Sequence, residues 1–261
     1  MIIYGRNAVF EALRGRRAAA VSDVWATSGA ARESWLAHTK PRIVTAEEIE
    51  RRCGSSAHQG LCADAGDYPY APPEQLLAVA QPLIVALDQV QDPQNLGSIC
   101  RTAECAGAAG VVIPERRAAE VTAAVCKASA GAVEHLPVAR VRNMADFLAD
   151  AREAGCWCYG ASGEEDEGEE RARAGAGAAT RSERAARRIV AYDAPDYAGA
   201  GVVLVLGSEG SGLRPRVAKA CDELIALPLL GRIESLGVSA AAAAILYEIL
   251  QARKAGLDNS P

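Results

Sequence analysis

Three short segments of this 261-residue chain combine polar side chains with glycines in ways that suit chemistry. The first is Asp92-Pro93-Gln94-Asn95-Leu96-Gly97, followed by Arg101. Pro93 sets up a turn and Asn95 is placed to cap a helix. Arg101 then lies nearly two turns along, with Gly97 four residues earlier leaving room on the same face. The second is Gly207-Ser208-Glu209-Gly210-Ser211-Gly212-Leu213, whose glycines permit tight turns and close approach to a ligand. Its spacing is not Gly-x-Gly-x-x-Gly and no Lys-Ser/Thr follows, so neither dinucleotide nor P-loop binding is indicated. Glu209 would repel phosphate, so the loop suits a neutral or cationic ligand, or an arginine partner. The third runs from Leu227-Pro228 to Ser235-Leu236-Gly237-Val238-Ser239, where Ser235 is a candidate helix cap.

All three segments follow apolar runs that read as strands. Candidate strands are 83–88, 110–113, 138–141, 156–160, 202–206 and 223–227, with helices expected at 96–106, 122–130, 144–154 and 215–220. Ile84-Val85-Ala86-Leu87 and Val202-Val203-Leu204-Val205-Leu206 are continuously apolar, as expected of parallel strands covered on both faces. In such sheets ligands bind outside the carboxyl ends of the strands. A final helix is expected over 235–255. Residues 1–70 read as a small α/β unit, with a helical stripe at Ala8, Val9, Phe10 and Leu13. Prolines 69, 72, 73 and 82 mark 71–82 as a linker, and 83–256 form the larger unit.

Net charge is −5, from 28 Lys and Arg against 33 Asp and Glu, but six of the acids lie in one run from Glu164 to Glu170. Setting them aside leaves the rest at +1, so the total does not exclude a nucleic acid partner. The acids and the arginines after them make 163–188 a solvated, mobile insertion by composition. Eight cysteines include no Cys-x-x-Cys pair, and the three histidines stand apart in sequence. Buried, reduced thiols are expected and no metal site. The absence of a leader or membrane-length apolar stretch points to a cytoplasmic protein, with no membrane partner.

Together, in order and spacing, the three segments resemble the signature motifs of the SpoU (TrmH) family of RNA ribose 2′-O-methyltransferases. The N-terminal Ile3-Tyr4-Gly5-Arg6 and His58-Gln59-Gly60 also resemble the substrate-binding domain of members that methylate a guanosine of 23S rRNA. The resemblance implies a small N-terminal α/β RNA-binding domain and a C-terminal SPOUT-type α/β domain with a trefoil knot. It further implies a homodimer, S-adenosyl-L-methionine as cofactor and RNA, not DNA, as substrate. Backbone around Gly207, Leu227 and Leu236 would hold the cofactor. Asn95, Arg101, Glu209 and Ser235 match the polar active-site positions. Many relatives carry Asn where this chain has Gly237. A tRNA ribose methyltransferase and a non-catalytic RNA-binding assembly factor are the alternative readings. Arg6, Arg14, Arg16 and Arg17 are candidate RNA contacts.

Overall fold

A computed structural model describes residues 1–163, 189–233 and 235–258; the insertion read at 163–188 lies almost wholly outside them. The N-terminal unit is a four-stranded sheet of order β1-β4-β2-β3, built from β1 (Ile2–Tyr4), β2 (Asp23–Ala26), β3 (Arg42–Ile43) and β4 (Leu61–Asp64). Helices α1 (Arg6–Ala12) and α2 (Ala46–Cys53) flank it. Thr45 caps α2 by accepting from the Glu48 N–H, and Glu47 and Glu48 complement the helix dipole.

The larger unit is a seven-stranded sheet of order β7-β6-β5-β10-β8-β11-β9, parallel at every ladder. Its strands are β5 (Leu83–Asp88), β6 (Gly110–Pro114), β7 (Val138–Val141), β8 (Cys156–Ser162), β9 (Ile189–Ala191), β10 (Gly201–Gly207) and β11 (Glu223–Ala226). Alternate side chains of the continuously apolar strands serve two cores. Leu83, Val85, Leu87, Val202, Leu204 and Leu206 pack under α4 (Pro93–Cys105), α5 (Ala123–Ala128) and α8 (Val238–Asp258). Ile84, Ala86, Val203 and Val205 pack against α3 (Pro73–Leu77), α6 (Met144–Glu153) and α7 (Pro215–Ala220). Arg253 of α8 donates to the carbonyls of Gln81, Pro82, Tyr197 and Ala200, fastening the helix across the starts of β5 and β10. Among the described residues no helix is long and apolar enough to cross a membrane.

Four local expectations change. Asp92, not Asn95, caps α4: its carboxylate accepts the Gln94 N–H and Pro93 takes the first helical position, where its missing N–H costs nothing. Ser235 is not the cap of α8, which starts at Val238; its hydroxyl accepts the Gly237 N–H in the turn before the helix. Within the stretch read as a linker, Ala71 pairs with Ala139 and Leu76 is buried in the sheet's second core. Arg17, read as a candidate RNA contact, is 2% exposed because α1 and the turn after it pack onto α5.

Arg17 donates from Nε to Glu134 Oε2 at 2.9 Å and pairs with Oε1 through Nη2. Glu134 is itself 1% exposed. Burial would lower the guanidinium pKa, but the carboxylate outweighs it and holds Arg17 above its ordinary value. The pair joins residues 117 positions apart, locking the two units together. Arg17→Met leaves Glu134 buried without its partner and should cost about 3–5 kcal/mol of stability in urea unfolding. Replacing both with apolar residues should recover most of that loss; a single variant as stable as the parent would contradict the assignment.

Candidate active site at the carboxyl edge of the sheet

Strands β5 and β10 are central neighbours, and their ladder sets Gly207 opposite Asp88. The first two sequence segments therefore emerge side by side. Asp88 ends an apolar strand with its side chain fully buried. A carboxylate there needs compensation, and Arg214 provides it. The Arg214 N–H reaches Asp88 Oδ2 at 3.0 Å, and its Nε and Nη2 reach Oδ1 at 2.8 and 2.6 Å. Arg214 immediately precedes α7, so this clasp fixes where the glycine loop ends. The loop closes on itself: Ser208 and Gly212 exchange backbone hydrogen bonds at 3.0 and 3.1 Å, and the Ser208 and Ser211 hydroxyls lie 2.8 Å apart. A Cβ at Gly207 would sit 2.1 Å from the Gly212 carbonyl carbon, so no other residue fits. Gly210 and Gly212 take φ of 89° and 62°, conformations that favour glycine.

That closure presents Glu209 to the helix of the first segment. Asn95 Nδ2 donates to Glu209 Oε1, joining residues 114 positions apart. The same bond fixes the amide orientation of Asn95. Arg101 lies on α4 with an exposed side chain and no ion pair among the described residues. Gly97 does not open space beside it. It is buried where α4 meets α5, and a Cβ there would lie 2.5 Å from that of Ala128. Leu227 follows β11 and is half-buried, whereas Leu236 is 52% exposed in the turn before α8. Ser235 is exposed and its hydrogen bond to Gly237 stays within that turn, so it is not joined to Asn95 or Glu209. Gly237 has a φ of 78°, and a Cβ added there would meet no atom within 4 Å. Asparagine is among the few side-chain-bearing residues that tolerate positive φ, so a Gly/Asn exchange here preserves the backbone while removing an amide.

Asp88 and Arg214 escaped the sequence reading. A lone carboxylate closing a fully apolar strand was the available signal, but its partner lies 126 residues away. Among the described residues no group of three His, Cys, Asp or Glu side chains is placed to hold a metal. Burial pushes the thiols of Cys100, Cys126 and Cys221 up to about 12, which suits space-filling groups, not thiolate ligands.

The SpoU rRNA Methylase family matches residues 82–247, and the family of RNA 2′-O ribose methyltransferase substrate-binding domains matches 2–71. The chain belongs to the SpoU family. A Bacillus subtilis relative assigned to the TrmH family of tRNA/rRNA methyltransferases (YacO) is 35% identical over 263 residues, spanning 96% of this chain and 95% of its own. A TrmH-family RNA methyltransferase structure from Porphyromonas gingivalis superposes with a TM-score of 0.69 at 28% identity, covering 95% and 88% of the two chains. AviRb from Streptomyces viridochromogenes, solved in complex with the cofactor AdoMet, shares the fold with a TM-score of 0.73 at 22% identity, over 98% and 91%. This SpoU methyltransferase thus pairs a substrate-binding unit with the parallel-sheet methylase unit.

Its glycine loop depends on the Asp88 clasp. Arg214→Ala should leave Asp88 buried with one backbone partner, cost about 3 kcal/mol and speed amide exchange of Ser208 and Gly212. Exchange by mass spectrometry at the parental rate through 207–213 would contradict this.

Proposed function

We propose that this SpoU-family protein transfers the methyl group of S-adenosylmethionine to a ribose 2′-hydroxyl of RNA, with a guanosine of 23S rRNA as the target. The observation that carries the reading is the Asn95–Glu209 bond, which unites two motifs of the family at the carboxyl edge of neighbouring central strands. The residues present suit the cofactor. Glu209 disfavours a phosphate-bearing ligand and favours a sulfonium cation. The family resemblance assigns the adenosyl group to the backbone around Gly207, Leu227 and Leu236, and the half-buried Leu227 and the exposed Leu236 supply apolar surface of the kind it needs. When bound, S-adenosylmethionine supplies a methyl group activated on a positively charged sulfur.

The protein's own task is the hydroxyl, a weak nucleophile whose proton passes to solvent at this exposed edge and whose developing negative charge must be stabilised. Arg101 is the group we assign to it. An arginine side chain stays protonated, so it acts by donating hydrogen bonds to the developing alkoxide and orienting an adjacent phosphate. Asn95 and Glu209 hold the loop and helix in register, and Ser235 orients the turn before α8. Much of the acceleration then comes from alignment.

We extend the reading to a homodimer in the cytosol, with the trefoil threading that the family resemblance implies. Leu230, Ile233 and Leu236 are 99%, 76% and 52% exposed around the third motif, and Tyr247 of α8 is 45% exposed. Apolar side chains so displayed are suited to burial against a second copy. The division into 1–70 and 83–256 belongs to the same proposal. A tRNA target is the competing substrate.

Transfer of labelled methyl groups from S-adenosylmethionine to unmodified 23S rRNA tests the assignment. Arg101→Ala should lower the saturated rate by about 10²–10³-fold, on the scale of losing one charge-stabilising donor, while cofactor binding persists. Undiminished transfer with cofactor binding and dimerisation intact would overturn the role of Arg101.

A further inference from the structure

The four arginines singled out on the N-terminal unit are largely engaged: Arg6 pairs with Glu33 at 2.8 Å, Arg14 lies 4.8 Å over the Phe10 ring, Arg16 reaches the Pro69 carbonyl at 3.4 Å and Arg17 is buried. A different pair stands free on the carboxyl edge itself. The loop leaving β6 reads Glu115-Arg116-Arg117-Ala118-Ala119-Glu120-Val121. Its two acids are met from β7 and the residue after it. Arg140 lies 3.3 Å from Glu120 and donates to the Glu115 carbonyl at 3.2 Å, and Arg142 approaches Glu115 at 4.0 Å. Four arginines thus face two glutamates. Arg116 and Arg117 are exposed and have no ion pair among the described residues.

The loop that carries them is held firmly and held next to the candidate site. The Ala119 N–H donates to the Val90 carbonyl at 2.9 Å, two residues before the Asp92 cap of α4. The Val121 N–H donates to the Tyr70 hydroxyl at 2.9 Å, and Ala119 and Val121 are buried. Each of the two facing loops contains a non-glycine residue at positive φ, Gln89 at 66° and Arg117 at 57°. Such conformations persist only where surrounding contacts impose them. Here the anchors on either side of Arg117 do so, and they leave two guanidinium groups in solvent on the edge where Asn95 and Glu209 meet. A pre-positioned arginine pair fits phosphate oxygens, which it can bind through paired N–H donors.

We propose that Arg116 and Arg117 form a phosphate-binding station that holds the RNA strand flanking the target nucleotide at the catalytic edge. The inference rests on the RNA reading above. It makes the pair a positioning element: phosphate contacts fix register, and the chemistry stays with Arg101.

The test uses the full-length protein with in vitro transcribed 23S rRNA and, separately, a tRNA transcript pool. Binding of each is measured across a salt series, and methyl transfer is followed in parallel. For Arg116→Ala/Arg117→Ala the slope of log K against log salt should become shallower by about 1.4, given ≈ 0.7 per single-strand phosphate contact. On the RNA that is methylated, the loss should fall on KM more than on kcat. Arg116→Lys/Arg117→Lys should restore the slope, because charge is kept, but only part of the KM. An unchanged slope with unchanged KM overturns the station, as would an equal response with a polyglutamate competitor in place of RNA, which would mark the patch as a generic acid-binding surface. The slope is read from binding alone, so it decides the arginine pair even if neither RNA is methylated, an outcome that would instead count against the proposed activity.

Discussion

The carboxylate of Asp88 has no access to water and sits where the central strand ends, so the surrounding chain must neutralise it. That requirement organises the catalytic edge. Among the described residues only Arg214 answers it, with one backbone and two side-chain donors, which places the end of the glycine loop and the start of α7 against β5. With its end fixed there, the loop turns back tightly enough that Gly207 tolerates no side chain. Glu209 is carried to Asn95 as a result, and two distant parts of the sequence become one polar surface. A buried ion pair is a weak source of net stability, since desolvation offsets attraction. Its value here is geometric, because the alternative of a misplaced loop leaves a charge unpaired in the core.

A second buried pair does comparable work between the two units. Arg17 and Glu134 are both removed from solvent, and residues such as Ile3, Val9, Val125 and Cys126 share one apolar cluster. The substrate-binding unit therefore sits on the methylase unit through a packed interface rather than swinging on 71–82. Any RNA gripped by the first unit meets the carboxyl edge at a fixed offset. A total charge of −5 is compatible with this, because attraction for RNA depends on local charge and not on the sum over the chain.

Much of this architecture was legible in the residues. Strands buried on both faces lose the alternating pattern, and the unbroken apolar runs at 84–87 and 202–206 announced parallel central strands correctly. Glycine density and Glu209 marked the loop after β10. What escaped was long-range or competitive. Asp92 displaces Asn95 as the cap because Asp-Pro supplies both an acceptor and a first helical residue without an N–H. Arg17 read as a candidate RNA contact, since nothing local reveals a glutamate 117 residues away. Gly97 read as leaving room beside Arg101, yet it packs against Ala128 of α5 with no space for a Cβ. The edge strand β9 is short and half-buried, with too little apolar signal to be distinguished from a loop. Arg116 and Arg117 were indistinguishable from other surface arginines until β7 was seen to neutralise their acidic neighbours.

Ribose methylation at this edge is tested most directly by mass-spectrometric mapping of 2′-O-methylation in rRNA and tRNA from cells with and without the protein. One ribose methylation, on a guanosine of 23S rRNA, is expected to disappear with the protein and to return with the parental sequence but not with Arg101→Ala. Identical methylation maps in both RNA pools would contradict it.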